Sequence, residues 1–218
     1  KTLVSARWNQ GAPYNNLCPK YDDSQRCATG CVATAMAQVM YYHKWPEQGA
    51  GSHSYTATIN GSSQSLSMDF GNTTFDWANM TDTYNSSSTS AENRAVATLM
   101  SACGISIDMG YGLASGTQTS RVVDALIQYF DYDRSIRYYS RDGYEFAEWE
   151  DMIYNELASA RPVIFSGQSS GGGHCFICDG YNQGGYYHFN WGWGGASDGY
   201  FMLTALNPND QGIGGSSS

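Results

Sequence analysis

An α+β fold is what this sequence predicts, with helices before position 160 and a mainly antiparallel sheet after it. Three observations predict it. Val32, Ala35, Met36, Val39 and Met40 recur at three- and four-residue spacing, as do Ala95, Leu99, Ala102 and Cys103, and then Trp149, Ile153 and Leu157; this is the period of helices with a buried face. After Pro162 the character changes to Val163-Ile-Phe-Ser-Gly, His174 to Gly180, Tyr186 to Trp193 and Gly199 to Leu203, short apolar runs cut by glycine turns as in strands. The two kinds of segment are grouped rather than alternating, which separates α+β from βαβ organisation.

The elements follow in order. Residues 1–30 lack periodicity and are rich in turn formers, so they read as an extended arm that carries Trp8 and Gln10 over a core. Thr29 and Gly30 then start a helix that runs to His43 or Lys44 and stops before Trp45-Pro46; His43 is expected on its packed face. Residues 49–74 alternate weakly around Asn60-Gly, which predicts short strands or a hairpin. His53 falls there in a polar stretch with no pattern around it. A serine-rich loop ends in a cap at about Ser90. A helix over 91–103 follows, with Gly104 in the place of a C-terminal glycine. Asp108 to Gly116 is a glycine-rich loop, and 119–130 and 146–158 read as two more helices. One domain covers 1–218, with a helical lobe over about 1–160 and a sheet-rich lobe over about 161–218.

Bulk chemistry removes several function classes. Eleven Lys and Arg against 20 Asp and Glu give a formal charge of −9, and no basic cluster is present for nucleic acid or an anionic membrane. No apolar run is long enough to cross a bilayer. Six cysteines in 218 residues are even in number, but a chain this long does not need disulfide staples. The compartment is therefore left open by the cysteines.

The chemistry begins at Cys31. A thiol at a helix start meets unpaired N–H groups and the positive end of the helix dipole, which favour thiolate, and thiolate attacks carbonyl carbon. Such a nucleophile needs a proton acceptor and a group that orients the acceptor. His43 lies about 18 Å down the same helix at about 1.5 Å per residue, out of reach, and His188 alternates with Phe189 as a structural strand residue would. His174 stands after Gly171-Gly-Gly and before an apolar strand, so a substrate backbone can approach while the ring is held. Asn190 can hold the second ring nitrogen and Trp191 can shield that bond. Gln10 and the Cys31 N–H can supply the two donors an oxyanion requires. Each feature alone is more often structural; their order and combination favour catalysis.

With these residues assembled, the sequence resembles the streptopain/interpain family of bacterial papain-like cysteine peptidases, closest to the interpain branch. Ala28-Thr-Gly-Cys-Val-Ala-Thr-Ala-Met-Ala-Gln, Gly172-Gly-His and Asn190-Trp-Gly-Trp-Gly-Gly carry the resemblance. Asn9-Gln-Gly-Ala-Pro-Tyr-Asn, Asp108-Met-Gly-Tyr-Gly and Ser197-Asp-Gly-Tyr-Phe extend it over nearly the whole chain. The 143 residues from Cys31 to His174 also fall within the roughly 130–150 that separate thiol and histidine in papain-like peptidases. The resemblance implies a papain-like two-lobed fold with the active site between the lobes, and a secreted or cell-surface endopeptidase made as a zymogen. Its own pro-domain would inhibit it, host proteins would be its substrates, and a hydrophobic residue would be preferred at P2. No cofactor or metal is implied. By position, Cys31 matches the nucleophile, His174 the general base, Gln10 the oxyanion donor, Asn190 and Trp191 the pair that orients the histidine, and Gly173 and Thr117 the segments that contact substrate. Family members continue past the segment matching Gln211 to Gly215 into a further strand, whereas this chain stops at Ser218.

Three rival readings bear on the same residues. Cys175 and Cys178 beside His174 suggest a metal or redox pair, but residues i and i+3 of a strand point to opposite faces. A tyrosine- and tryptophan-rich adhesin would explain the aromatic content without explaining the Cys31, His174, Asn190 order. An amidase or transglutaminase-like enzyme would use the same thiol and imidazole on a different acceptor.

Overall fold

The computed structural model describes residues 1–169 and 172–206. Its architecture is α+β. The long helix α1 (Cys31–His43) is followed by a hairpin of β1 (Ser52–Ile59) and β2 (Ser62–Asp69), then by α2 (Ser90–Ser106), α3 (Arg121–Phe130) and α4 (Phe146–Ala158). Strands β3 (Val163–Ser169), β4 (Gly172–Tyr181), β5 (Tyr187–Asn190) and β6 (Gly199–Phe201) close the chain as a four-stranded antiparallel sheet in sequence order. The hairpin turns at Asn60 and Gly61, both at positive φ, which Asn and Gly adopt at least cost.

Two apolar cores lie on either side of β4. Cys175 and Ile177 belong to the core built by α1, α2, α3 and the hairpin. Phe176 and Cys178 belong to the second, with Phe165, Phe189, Trp191, Ile153 and Leu157. The alternation expected of a strand therefore places the two cysteines on opposite sides of the sheet. Ile153 and Leu157 bury α4 in this second core, against the sheet.

Other expectations are corrected. The first helix is buried on every side from Val32 to Tyr41, because it lies against both the second helix and β4; Ala33, Ala35 and Ala37 permit that close approach. His43 ends the helix exposed to solvent, with Tyr42 and Tyr132 at its edges. Gly104 does not stop the second helix. It lies buried inside it, where a Cβ would run into the Tyr111 hydroxyl, so the glycine is a packing gap. His53 lies on β1, paired at 2.5 Å with Asp108. The chain end that the sequence pattern singled out, residues 207–218, lies outside the described residues.

The amino-terminal arm ties the two halves together. Leu3 N–H donates to the Asp179 carbonyl, Val4 N–H to the Asp179 carboxylate, and Arg7 N–H to Asp82. Trp8 is fully buried and packs 4.8 Å from the ring of Tyr41 on α1.

Candidate active site

The start of α1 is built for a reactive group. Gly30 caps it at φ 88° and ψ 144° with no side-chain hydrogen bond, so the first-turn amides are left for other partners. The loop 108–116 braces this turn: Ala28 N–H donates to the Gly112 carbonyl at 2.9 Å, and the Ser115 hydroxyl to the Ala28 carbonyl at 2.7 Å. Met109 fills the space beside Gly30; a Cβ there would lie 2.6 Å from its Cε. Position 30 therefore faces packed protein rather than open space.

Cys31 is partly exposed, and its sulfur accepts the Cys175 N–H at 3.4 Å. Cys31 and the residue after His174 are therefore in direct contact, although 144 positions separate them. Burial pushes the Cys31 thiol above its ordinary pKa, and the N–H groups of Cys175, Val32 and Cys31 pull it back in part. Desolvation here outweighs the helix-start effect that the sequence suggested. Burial likewise holds the His174 pKa below its ordinary value, with the bond to Trp191 opposing. Both shifts disfavour the charged form of each group taken alone.

His174 is 4 % exposed. Its ring stacks 5.0 Å from Trp193, 5.9 Å from Phe176 and 6.4 Å from Trp191. Nε2 lies 2.8 Å from the Trp191 carbonyl oxygen. A carbonyl can only accept, so Nε2 carries the proton and Nδ1 bears the lone pair. Among the described residues, Nδ1 is buried and has no hydrogen-bond partner. A neutral imidazole held in one tautomer with a free basic nitrogen is the form a general base requires.

The expected partner of His174 is corrected here. Asn190 does not hold the imidazole. Its Nδ2 donates to the Ala6 carbonyl at 2.8 Å and to Gln38 Oε1 at 3.2 Å, and its Oδ1 accepts from Gln38 Nε2 at 3.3 Å and Gly192 N–H at 3.0 Å. Two donors and two acceptors are all an amide offers in such a setting, so nothing remains for the histidine. Asn190 instead shapes the turn that presents the next residue's carbonyl. Gly192 sits at φ 76°, a conformation that suits glycine. The Trp191 N–H donates to the Asp198 carboxylate at 3.0 Å, fixing the other side of the same residue.

Gln10 is held near the helix start through its backbone: Thr29 N–H donates to its carbonyl at 3.2 Å. It lines an open depression with Asn15, Arg26, Ala28 and Leu113. Gly173 is exposed on β4 beside His174. Thr117 is less free, because its hydroxyl donates to the Ile107 carbonyl at 2.8 Å. Sequence reasoning missed the Trp191 carbonyl, the stacking of Trp193 and the contribution of Gln38. The Trp-Gly-Trp spacing was the available signal for Trp193; a backbone acceptor leaves no mark in residue type.

The fold and the site together define a papain-like two-lobed chain that carries a cysteine and a histidine where its two cores meet. The model of the Peptidase C10 family matches residues 8–201, and the chain belongs to that family. It is 39% identical over 232 residues to streptopain of Streptococcus pyogenes and 41% identical over 208 residues to the thiol protease/hemagglutinin PrtT of Porphyromonas gingivalis. Those alignments take in 99% and 95% of this chain but 58% and 24% of the relatives, so the chain spans less than two thirds of either. The solved structure of active interpain A cysteine protease from Prevotella intermedia superposes with a TM-score of 0.91 at 41% identity, covering 100% of this chain and 91% of that one. A prointerpain A fragment from the same organism superposes with a TM-score of 0.88, also at 41% identity, covering 100% of this chain and 69% of that one.

Proposed function

We infer that the chain is the catalytic domain of a secreted cysteine endopeptidase that hydrolyses peptide bonds of proteins. One observation carries the reading: among the described residues, His174 has its Nε2 proton on the Trp191 carbonyl and no partner at Nδ1, while the next residue's N–H contacts the Cys31 sulfur. The Cys31 thiol gives its proton to Nδ1 as the sulfur attacks the scissile carbonyl carbon. The tetrahedral oxyanion takes the Cys31 N–H and the Gln10 side-chain amide as donors. Collapse breaks the C–N bond, and the departing amine takes the proton from Nδ1. Water then loses a proton to Nδ1, attacks the thioester and releases the acid, and the proton returns to the sulfur. Gly173 and the loop at Thr117 flank the cleft as substrate contacts, with a hydrophobic residue preferred at P2. The names of the relatives, a thiol protease and a cysteine protease with a pro-form, support synthesis as a zymogen restrained by its own pro-domain. Among the described residues no helix is long and apolar enough to cross a membrane.

The test is cleavage of casein and a peptide library by the protein and by Cys31→Ala, with iodoacetamide or E-64 as thiol reagents. New N-termini from the unmodified protein, and none from the variant or the alkylated protein, are expected. Ammonia release without chain cleavage would move the activity to an amidase. Binding to glycans or proteins without a fast-reacting thiol would make the chain an adhesin.

A further inference from the structure

Gln38 is fully buried in the helix that carries Cys31. Cys31, Thr34 and Gln38 stand at i, i+3 and i+7 and so share one face of α1. A buried amide is costly unless its polar atoms are satisfied, and Gln38 satisfies them on two other segments. Its Oε1 accepts from Trp8 N–H at 3.2 Å and from Asn190 Nδ2 at 3.2 Å, and its Nε2 donates to Asn190 Oδ1 at 3.3 Å.

Each of these segments leads to a site residue. Asn190 Oδ1 also takes the Gly192 N–H, which closes a turn around Trp191, and the carbonyl of Trp191 holds His174 Nε2. Trp8 lies two residues before Gln10, and its own carbonyl accepts the Gly194 N–H at 3.0 Å. One side chain on the nucleophile's helix thus fixes both the acceptor that sets the tautomer of the base and the arm that brings the oxyanion donor. Resting on the cysteine-peptidase reading above, we propose that Gln38 is a positioning residue of the catalytic site, acting through Asn190 on His174 and through Trp8 on Gln10. The chemistry demands an amide. Methionine fills the same volume but neither donates nor accepts comparably, and an ionised glutamate cannot donate to Asn190 Oδ1. A protonated glutamate can do both, with its carbonyl toward Trp8 and its O–H toward Asn190.

The experiment compares the full chain with Gln38→Met, Gln38→Glu, Asn190→Ala and the double variant Gln38→Met/Asn190→Ala. It measures kcat and KM on a peptide, the iodoacetamide rate of Cys31 against pH, and thermal melting. Loosening the base and the oxyanion donor by a fraction of an ångström to 1 Å should lower kcat on the order of 10–10²-fold in Gln38→Met, with KM changed by less than about threefold. The acid limb of the alkylation profile should move with it, because that limb reports the thiol–imidazole pair. Gln38→Glu should keep activity at acidic pH and lose it through an ionisation that the unsubstituted protein lacks. In the Asn190→Ala background the Gln38→Met effect on kcat should shrink, since the two residues share one route. A lower melting temperature with unchanged kcat and alkylation profile would make Gln38 a satisfied core residue and overturn the proposal. Should Gln38→Met not fold, Gln38→Glu decides: a pH–rate profile identical to that of the unsubstituted protein overturns it. A parent protein that neither cleaves peptides nor alkylates rapidly at Cys31 sinks the peptidase reading instead, so the two failures are distinct.

Discussion

Replacing Gly30 by alanine tests whether the start of the helix that carries Cys31 is set by backbone conformation and packing. Gly30 lies at φ 88° and ψ 144°, close to a region that only glycine occupies readily. Holding another residue there costs about 1–3 kcal/mol. The added Cβ would also sit 2.6 Å from Met109 Cε and 2.7 Å from its Sδ. Met109 is fully buried, so the tip of its side chain must move within a packed core, for a further 1–3 kcal/mol or so. The sum is about 2–6 kcal/mol, a large part of the roughly 5–15 kcal/mol that holds a domain together. Denaturant unfolding of Gly30→Ala, alone and in a Met109→Ala background, separates the two contributions. The overlap should vanish in that background while the conformational cost persists, so the penalty should fall by about 1–3 kcal/mol. Iodoacetamide kinetics on the folded protein then show whether the thiol has moved. A penalty below about 1 kcal/mol, equal in both backgrounds, would refute the argument.

Two other predictions concern the chemistry of the site. Gln10→Ala should lower kcat by roughly 10²–10³-fold if its amide stabilises the oxyanion, with KM nearly unchanged; steady-state kinetics on a peptide substrate check this. Stability should be greatest between about pH 6.5 and 8.5, the ordinary values of an imidazole and a thiol. Burial depresses the His174 pKa, so its contribution is complete above pH 6.5 or so and is lost as pH falls through the folded value, because the unfolded chain takes up a proton that the native site refuses. Burial raises the Cys31 pKa, so its contribution is complete below about pH 8.5 and is lost as pH rises through the folded value. Urea midpoints across pH should show both limbs. His174→Gln should flatten the acid one, and Cys31→Ala should reduce the alkaline one, which the buried Cys103, Cys175 and Cys178 share.

Much of this was legible in residue order. Helix bounds at Cys31–His43 and Phe146–Ala158, the hairpin at Asn60-Gly and the four closing strands follow from periodicity and turn chemistry. So does the placement of Cys175 and Cys178 on opposite faces of β4. The failures share a cause: they depend on what packs from elsewhere in the chain. Gly104 reads as a helix stop until Tyr111 is found against it. Periodicity gives α1 one buried face, because a pattern within one segment cannot report that α2 and β4 both pack against it within the same core. Asn190 was assigned to His174 from the order of the motifs. The hydrogen bonds that occupy it come from Ala6 and Gln38, 184 and 152 positions away. The thiol was expected to be acidic from the helix start alone, whereas its burial between lobes raises it.

The position of the site follows from the two cores. A thiol and an imidazole perform general-base chemistry only if their separation is held to a fraction of an ångström, yet here they belong to different halves. Cys31 packs on the first core, and the His174 ring lies against Phe176, Trp191 and Trp193 of the second. β4 removes the difficulty because its alternate side chains are anchored in both cores, so neither half can shift without disturbing the strand that carries His174. The N–H of Cys175 extends this to the sulfur itself: the strand that carries His174 also touches Cys31. The arm then closes the remaining freedom, since Leu3 and Val4 bind Asp179 on β4, while Trp8 binds Gln38 on α1. A substitution that removes the arm's hydrogen bonds but spares its core residues Val4, Ala6 and Trp8 should therefore act on turnover before it acts on the fold, because each lobe retains its own core while the register between them is lost.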